Sequence, residues 1–191
     1  MVSAHRKPGI WAMEGSWSTR VTDVRTITPV LTALASTGAA RHAHLHINDR
    51  ADLVEAMTRW GQAQHKSYGI GYVAMHGSPG SVHIGRRRID LAELAEELPR
   101  GRLASKVLHF GSCSVLEQES DRRDLVDAFG VRAITGFTTD VDWFESLAFE
   151  ILLFDLMASY QRMDAVERYI QKEHGDFARR LGFVMARRAQ K

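Results

Sequence analysis

Five short apolar runs, Ile10 to Glu14, Ala43 to Ile47, Tyr68 to Met75, Lys106 to Phe110 and Ala133 to Phe137, constrain the fold of this chain more than any other feature. Helical patterns fill the stretches between them. Pro29 stands near the start of the periodic segment Val30, Leu31 and Leu34, which ends before Gly38, as suits a proline in a first helical turn and a glycine past the last. Asp52 opens a second helix carrying Leu53, Val54, Met57 and Trp60 on its apolar face. Asp90 to Leu98, Asp124 to Phe129, Trp143 to Tyr160 and Met163 to Arg180 also read as helical, and Phe183 to Ala186 as a final strand. Val82 to Ile84 and Ile89 to Leu91 flank Gly85-Arg86-Arg87-Arg88 as a small hairpin with a solvated tip. Largely apolar strands that alternate with helices form a mostly parallel sheet covered on both faces. The predicted fold class is therefore α/β, a three-layer α/β/α domain.

Composition narrows the function classes. With 191 residues, 45% of them hydrophobic, and no repeat or Pro/Gly/Ser-rich linker, residues 1–191 read as one domain. The 25 Lys and Arg nearly balance 23 Asp and Glu, and the basic residues are scattered, so no nucleic-acid partner is expected. No run approaches the ~18 apolar residues that span a bilayer, and the opening residues lack the apolar stretch of a secretory signal. A cytoplasmic protein without a membrane partner is expected. One cysteine, Cys113, excludes an internal disulfide and the paired spacing of a structural zinc site. A lone cysteine is most often a small buried hydrophobe, so its neighbours decide its role.

In open parallel sheets functional groups gather where strands end at the carboxyl edge. The third run stops at His76-Gly77-Ser78-Pro79-Gly80, a cluster that neither continues a strand nor begins a helix smoothly, and the fourth at Gly111-Ser112-Cys113-Ser114. If those two strands are parallel neighbours, about 4.8 Å apart, imidazole and thiol emerge side by side. An imidazole beside a thiol promotes the thiolate that attacks carbonyl carbon. The amides of Gly77 and Cys113 are placed to face a developing oxyanion.

These residues carry a family resemblance. Met75-His76-Gly77 after a strand, followed by Gly111-Ser112-Cys113-Ser114 after the next, resembles the caspase-like cysteine peptidases, nearest to their bacterial CHAT-type branch. Ala133-Ile134-Thr135-Gly136-Phe137-Thr138 and the hydrophobic helix after it extend the likeness from Tyr68 to about Ala158. The resemblance implies the caspase–haemoglobinase fold, His76 as proton-handling residue, Cys113 as nucleophile and the Gly77 amide in the oxyanion hole. It further implies a protein or peptide substrate, and an effector role in bacterial defence or cell death. Such an enzyme needs no cofactor, but with no evident prodomain it calls for a regulatory partner. The caspase cysteine signature, Gln-Ala-Cys and its flanking residues, is absent, so aspartate specificity is not carried over.

Asp140 and Asp142 follow the fifth strand on the same rim. Two roles are open to them: a carboxylate at the base of a pocket that selects Arg or Lys, or the N-cap of the helix starting near Trp143. Glu14, at the carboxyl end of the first strand, is a weaker candidate for the cleft wall. His42, His44 and His46 alternate along the second strand and so share one face, but nothing at metal-site spacing along the chain completes a ligand set. They are read as structural, with no metal expected. His83 and His109 are read as core or hydrogen-bonded histidines, and Trp11, Met13 and Trp17 as packing. Two other function classes compete: a non-catalytic peptide- or partner-binding module on the same fold, and a nucleotide-binding domain. The intact His76–Cys113 pair favours the enzyme over the first. Against the second, Glu14-Gly15-Ser16-Trp17-Ser18 is a poor phosphate cradle because Trp17 is bulky and no Lys follows in register.

Overall fold

The computed structural model describes residues 7–20 and 22–188. Residues 1–6, which entered the reading of a missing secretory signal, lie outside that range. Six strands form one sheet: β1 (Ile10–Gly15), β2 (His42–Ile47), β3 (Ile70–Ala74), β7 (Val107–Phe110), β8 (Ala133–Phe137) and β9 (Phe183–Arg187). Their order is β2-β1-β3-β7-β8-β9, parallel except for β9, which runs antiparallel against β8. The remaining strands, β4 (His76–Ser78), β5 (Ser81–Ile84) and β6 (Arg87–Asp90), make a small antiparallel sheet beside it.

Helices cover both faces. Against one face lie α1 (Thr28–Ser36), α5 (Trp143–Ser159) and α6 (Met163–Arg180), whose Leu31, Phe149 and Val166 pack with Ile10 and Ala12 of β1. Against the other lie α2 (Arg50–Trp60), α3 (Leu91–Glu96) and α4 (Glu119–Phe129), whose Leu53, Leu94 and Val126 pack with Trp11 and Met13. Successive residues of β1 thus enter opposite cores, which is why the strand is apolar without alternation. Trp60 fills its core so closely that a Cβ on Gly71 of β3 would come 2.5 Å from the indole Cη2. No helix among the described residues is long and apolar enough to cross a membrane.

Local chemistry shifts several expected boundaries. The second helix is capped by Asp49, which accepts from the amide of Asp52, so it begins before Asp52 rather than at it. The fourth helix starts at Glu119, five residues before the expected Asp124, through a polar first turn that shows no apolar periodicity. His76–Ser78 forms a short strand where a break was expected. Its partner β5 lies just beyond Pro79-Gly80, with Gly80 at a φ of +67°, so a local hairpin compensates for poor strand propensity.

Candidate active site

Strands β3 and β7 are parallel neighbours, in register from Ile70 opposite Val107 to Val73 opposite Phe110. The amide of Gly111 extends the ladder by donating to the Val73 carbonyl at 2.9 Å. The segments that follow therefore leave the sheet side by side. An exposed His76 and a half-buried Cys113 line one cavity of about 100 Å³, walled by Trp17, Trp143 and Leu147 with Glu150 at its base. Gly77 makes the approach sterically feasible. A Cβ there would come 2.6 Å from the Cys113 carbonyl oxygen and 2.8 Å from the Cβ of Ser112, and closer still to Val115, so only glycine fits without moving the cysteine loop.

A backbone group orients the imidazole. His76 Nε2 lies 2.7 Å from the carbonyl oxygen of Trp17. A carbonyl can only accept, so Nε2 carries the hydrogen, and in the neutral ring Nδ1 holds the free lone pair. The same carbonyl accepts from Arg25 Nη2 at 3.1 Å, and Asp23 holds the Arg25 guanidinium with two oxygens, Oδ1 accepting from Nε and Oδ2 from Nη2. The Trp17 ring meets His76 edge-on at 5.5 Å and Trp143 at 4.5 Å, closing one side of the cavity with aromatic surface.

The cysteine loop is held in an unusual conformation. Ser114 has a φ of +54°, the sole non-glycine positive φ among the described residues, at a cost of about 1–3 kcal/mol. Two hydrogen bonds offset it: the Ser114 amide to the Thr139 carbonyl at 3.0 Å, and Ser114 Oγ to Asp140 Oδ1 at 3.0 Å. Among the described residues the Cys113 amide donates to no acceptor. The two-residue turn closes on the Ser78–Ser81 pair, so antiparallel alternation leaves Gly77 opposite Val82 without ladder bonds, its N–H turned to the open edge of β4.

Asp140 and Asp142 do not line the cavity beside Cys113. Asp142 caps α5, its Oδ1 accepting from the amides of Phe144 and Glu145 at 2.9 and 3.0 Å, so the capping role expected for one of the pair falls to it. Asp140 secures the cysteine loop through Ser114. The acid at the cavity is Glu150 of α5, which had no distinguishing sequence signal inside an apolar helix. It is 1% exposed, accepting from the Tyr72 hydroxyl at 2.5 Å and lying 3.1 Å from His109 Nε2, whose Nδ1 meets Thr135 Oγ1 at 2.9 Å. Burial, and next the Glu150 carboxylate, push the Tyr72 hydroxyl well above the usual phenol range, so it stays a donor. His109 is thus the hydrogen-bonded core histidine expected, and His83, 2.8 Å from Ser78 Oγ, is hydrogen-bonded as well.

Glu14 is 3% exposed and lies outside the cysteine cavity, because its carboxylate is fully engaged elsewhere. Oε1 accepts from the Trp17 indole at 2.7 Å and the Ile27 amide at 2.9 Å, while Oε2 accepts from Thr26 at 2.9 Å and meets His44 Nε2 at 2.7 Å. Burial pushes its pKa up, but the hydrogen bonds from His44, Trp17, Ile27 and Thr26 outweigh that and hold it below the ordinary carboxylate value. Glu14 fixes the chain whose next turn presents the Trp17 carbonyl to His76.

Fold and site together define an α/β domain with a histidine and a thiol lining one cavity at the carboxyl edge of adjacent parallel strands. Over residues 7–186 the chain matches a family of unknown function (DUF6642), and it belongs to that family. No curated protein matches it.

Proposed function

We propose that the chain is a cysteine endopeptidase of caspase-like, CHAT-related type, with Cys113 as nucleophile and His76 as general base and acid. The supporting observation is the fixed imidazole: Nε2 is bound to the Trp17 carbonyl, which leaves Nδ1 to exchange protons in the cavity it shares with the thiol. In this reaction the Cys113 proton passes to Nδ1 and sulfur bonds to the substrate carbonyl carbon. The oxyanion is received by the Gly77 and Cys113 amides. His76 then gives its proton to the leaving amine as the C–N bond breaks. Water, deprotonated by His76, attacks the thioester, and the proton returns to sulfur as the acid product leaves.

Cavity size supports a polymeric substrate. At about 100 Å³ it is smaller than the roughly 300–1,000 Å³ of pockets that enclose whole small molecules, as suits a substrate that inserts one group and lies mostly outside. A preference for Arg or Lys before the scissile bond is part of the same reading, although Asp140 and Asp142 lie outside the cavity and the Glu150 carboxylate at its base is already bound by Tyr72 and His109. The caspase–haemoglobinase assignment of the fold, a cytoplasmic effector role in bacterial defence or cell death, and control by a partner protein belong to this proposal too. A fluorogenic peptide panel differing only in the residue before the scissile bond tests it. Cleavage after Arg or Lys, lost in Cys113→Ala and His76→Ala, is expected; cleavage that survives Cys113→Ala would overturn it.

A further inference from the structure

The histidines of β2 acquire a third partner through sheet register rather than chain spacing. In the parallel β1–β2 ladder Ala12 stands opposite His44 and Glu14 opposite His46, so both histidines and the carboxylate project from the same face. One ligand atom from each of Glu14, His44 and His46 lies within 4.8 Å of the other two. Tetrahedral zinc with ligand distances of about 2.0–2.2 Å holds its donors roughly 3.4 Å apart, so small side-chain rotations bring the three into position.

The surroundings resemble those of a metal centre. Glu14 Oε1 is held by two donors, the Trp17 indole and the Ile27 amide, which aims Oε2 at the histidines as an outer shell orients a ligating carboxylate. A satisfied Glu14–His44 hydrogen bond accounts for that pair but not for His46, an exposed ring 4.9 Å from His44 and tilted 43° to it. Glu14 and His46 also border an open cavity of about 400 Å³, separate from the cysteine cavity, which gives an ion access and leaves room for water as a fourth ligand. Two imidazoles and one carboxylate suit Zn²⁺, whereas Mg²⁺ and Ca²⁺ take oxygen donors.

We propose that Glu14, His44 and His46 form a Zn²⁺ site on the sheet face between β1 and β2. Zinc replaces the Glu14–His44 hydrogen bond: Oε2 and His44 Nε2 turn onto the ion, and the His44 ring carries its hydrogen on Nδ1 instead. The site is independent of the peptidase reading. Because a thiol and imidazole at the dyad also attract zinc, the test starts from the full chain carrying Cys113→Ser. Calorimetric titration with Zn²⁺ is expected to give one site per chain, with affinity falling at least tenfold when His46→Ala is added. Since His46 is exposed, that variant keeps the metal-free melting temperature while losing the zinc-induced rise. Co²⁺ in place of zinc is expected to give the d–d bands of a nitrogen- and oxygen-ligated ion in the Cys113→Ser chain, and to lose them when His46→Ala is added. No zinc binding in the Cys113→Ser chain, or binding that His46→Ala leaves unchanged, would overturn the proposal.

Discussion

Tyr72 illustrates how single residues support the cleft from below. Its hydroxyl is one of two groups meeting the buried Glu150 carboxylate, whose Oε1 would lie 2.5 Å from any Cβ on Gly111, two residues before Cys113. Tyr72→Phe removes that donor and leaves Oε2 buried without it. The expected loss is about 1–3 kcal/mol, read as a lower urea midpoint at unchanged m-value. An unchanged midpoint would mean that solvent reaches Glu150. Legibility at this scale follows the kind of group involved. His76 and Cys113 were found because a polar residue just after an apolar run marks a strand's end. The Trp17 carbonyl carries no sequence signal, since every residue has one. Glu150 hides among Phe149, Leu153 and Phe154, and only the fold turns it toward the cysteine loop.

Elements whose own residues carry a continuous apolar run or a sustained helical period have the bounds that the sequence predicts. Ala133–Phe137 and Met163–Arg180 appear with the bounds expected for them, whereas α4 begins five residues early because its first turn is polar. The strand β4 was missed because Gly77 and Pro79 argue against strand locally, and pairing with β5 overrides them. The two roles open to Asp142 are separable at helix α5. As N-cap, Asp142 satisfies two amides of the first turn, so Asp142→Ala is expected to cost about 0.5–2 kcal/mol by chemical denaturation. The same variant leaves the order of cleavage across a peptide panel unchanged; a changed order would return Asp142 to the substrate pocket. The Glu14–His44–His46 group shows a related limit. Alternation along one strand places His44 and His46 on a common face, but the carboxylate beside them lies on β1, and cross-strand register is a property of the sheet.

Across the whole molecule, the sheet buries one cation that faces no carboxylate in the ion pairs described. Lys106, 3% exposed beside β7, donates from Nζ to the carbonyls of Tyr68 at 2.8 Å and His65 at 2.9 Å. Burial pulls its pKa from 10.5 down to about 8. The folded state therefore gives up this proton before the unfolded state does. Below about pH 8 both hold it and the contribution is flat; between about 8 and 10.5 the unfolded state binds more protons, so stability from this group rises with pH. The melting temperature of wild type relative to Lys106→Met is expected to climb across that window, and a constant difference would show that the ammonium stays charged in the fold. The same sheet brings together the segments bearing His76 and Cys113, and their chemical coupling is measured most directly by the rate at which iodoacetamide alkylates Cys113 at neutral pH. A working dyad predicts labelling in the wild type that slows at least tenfold in His76→Ala, because the imidazole promotes the reactive thiolate. Equal rates in the two proteins would show that His76 and Cys113 share a cavity without sharing a proton, and would contradict the peptidase assignment.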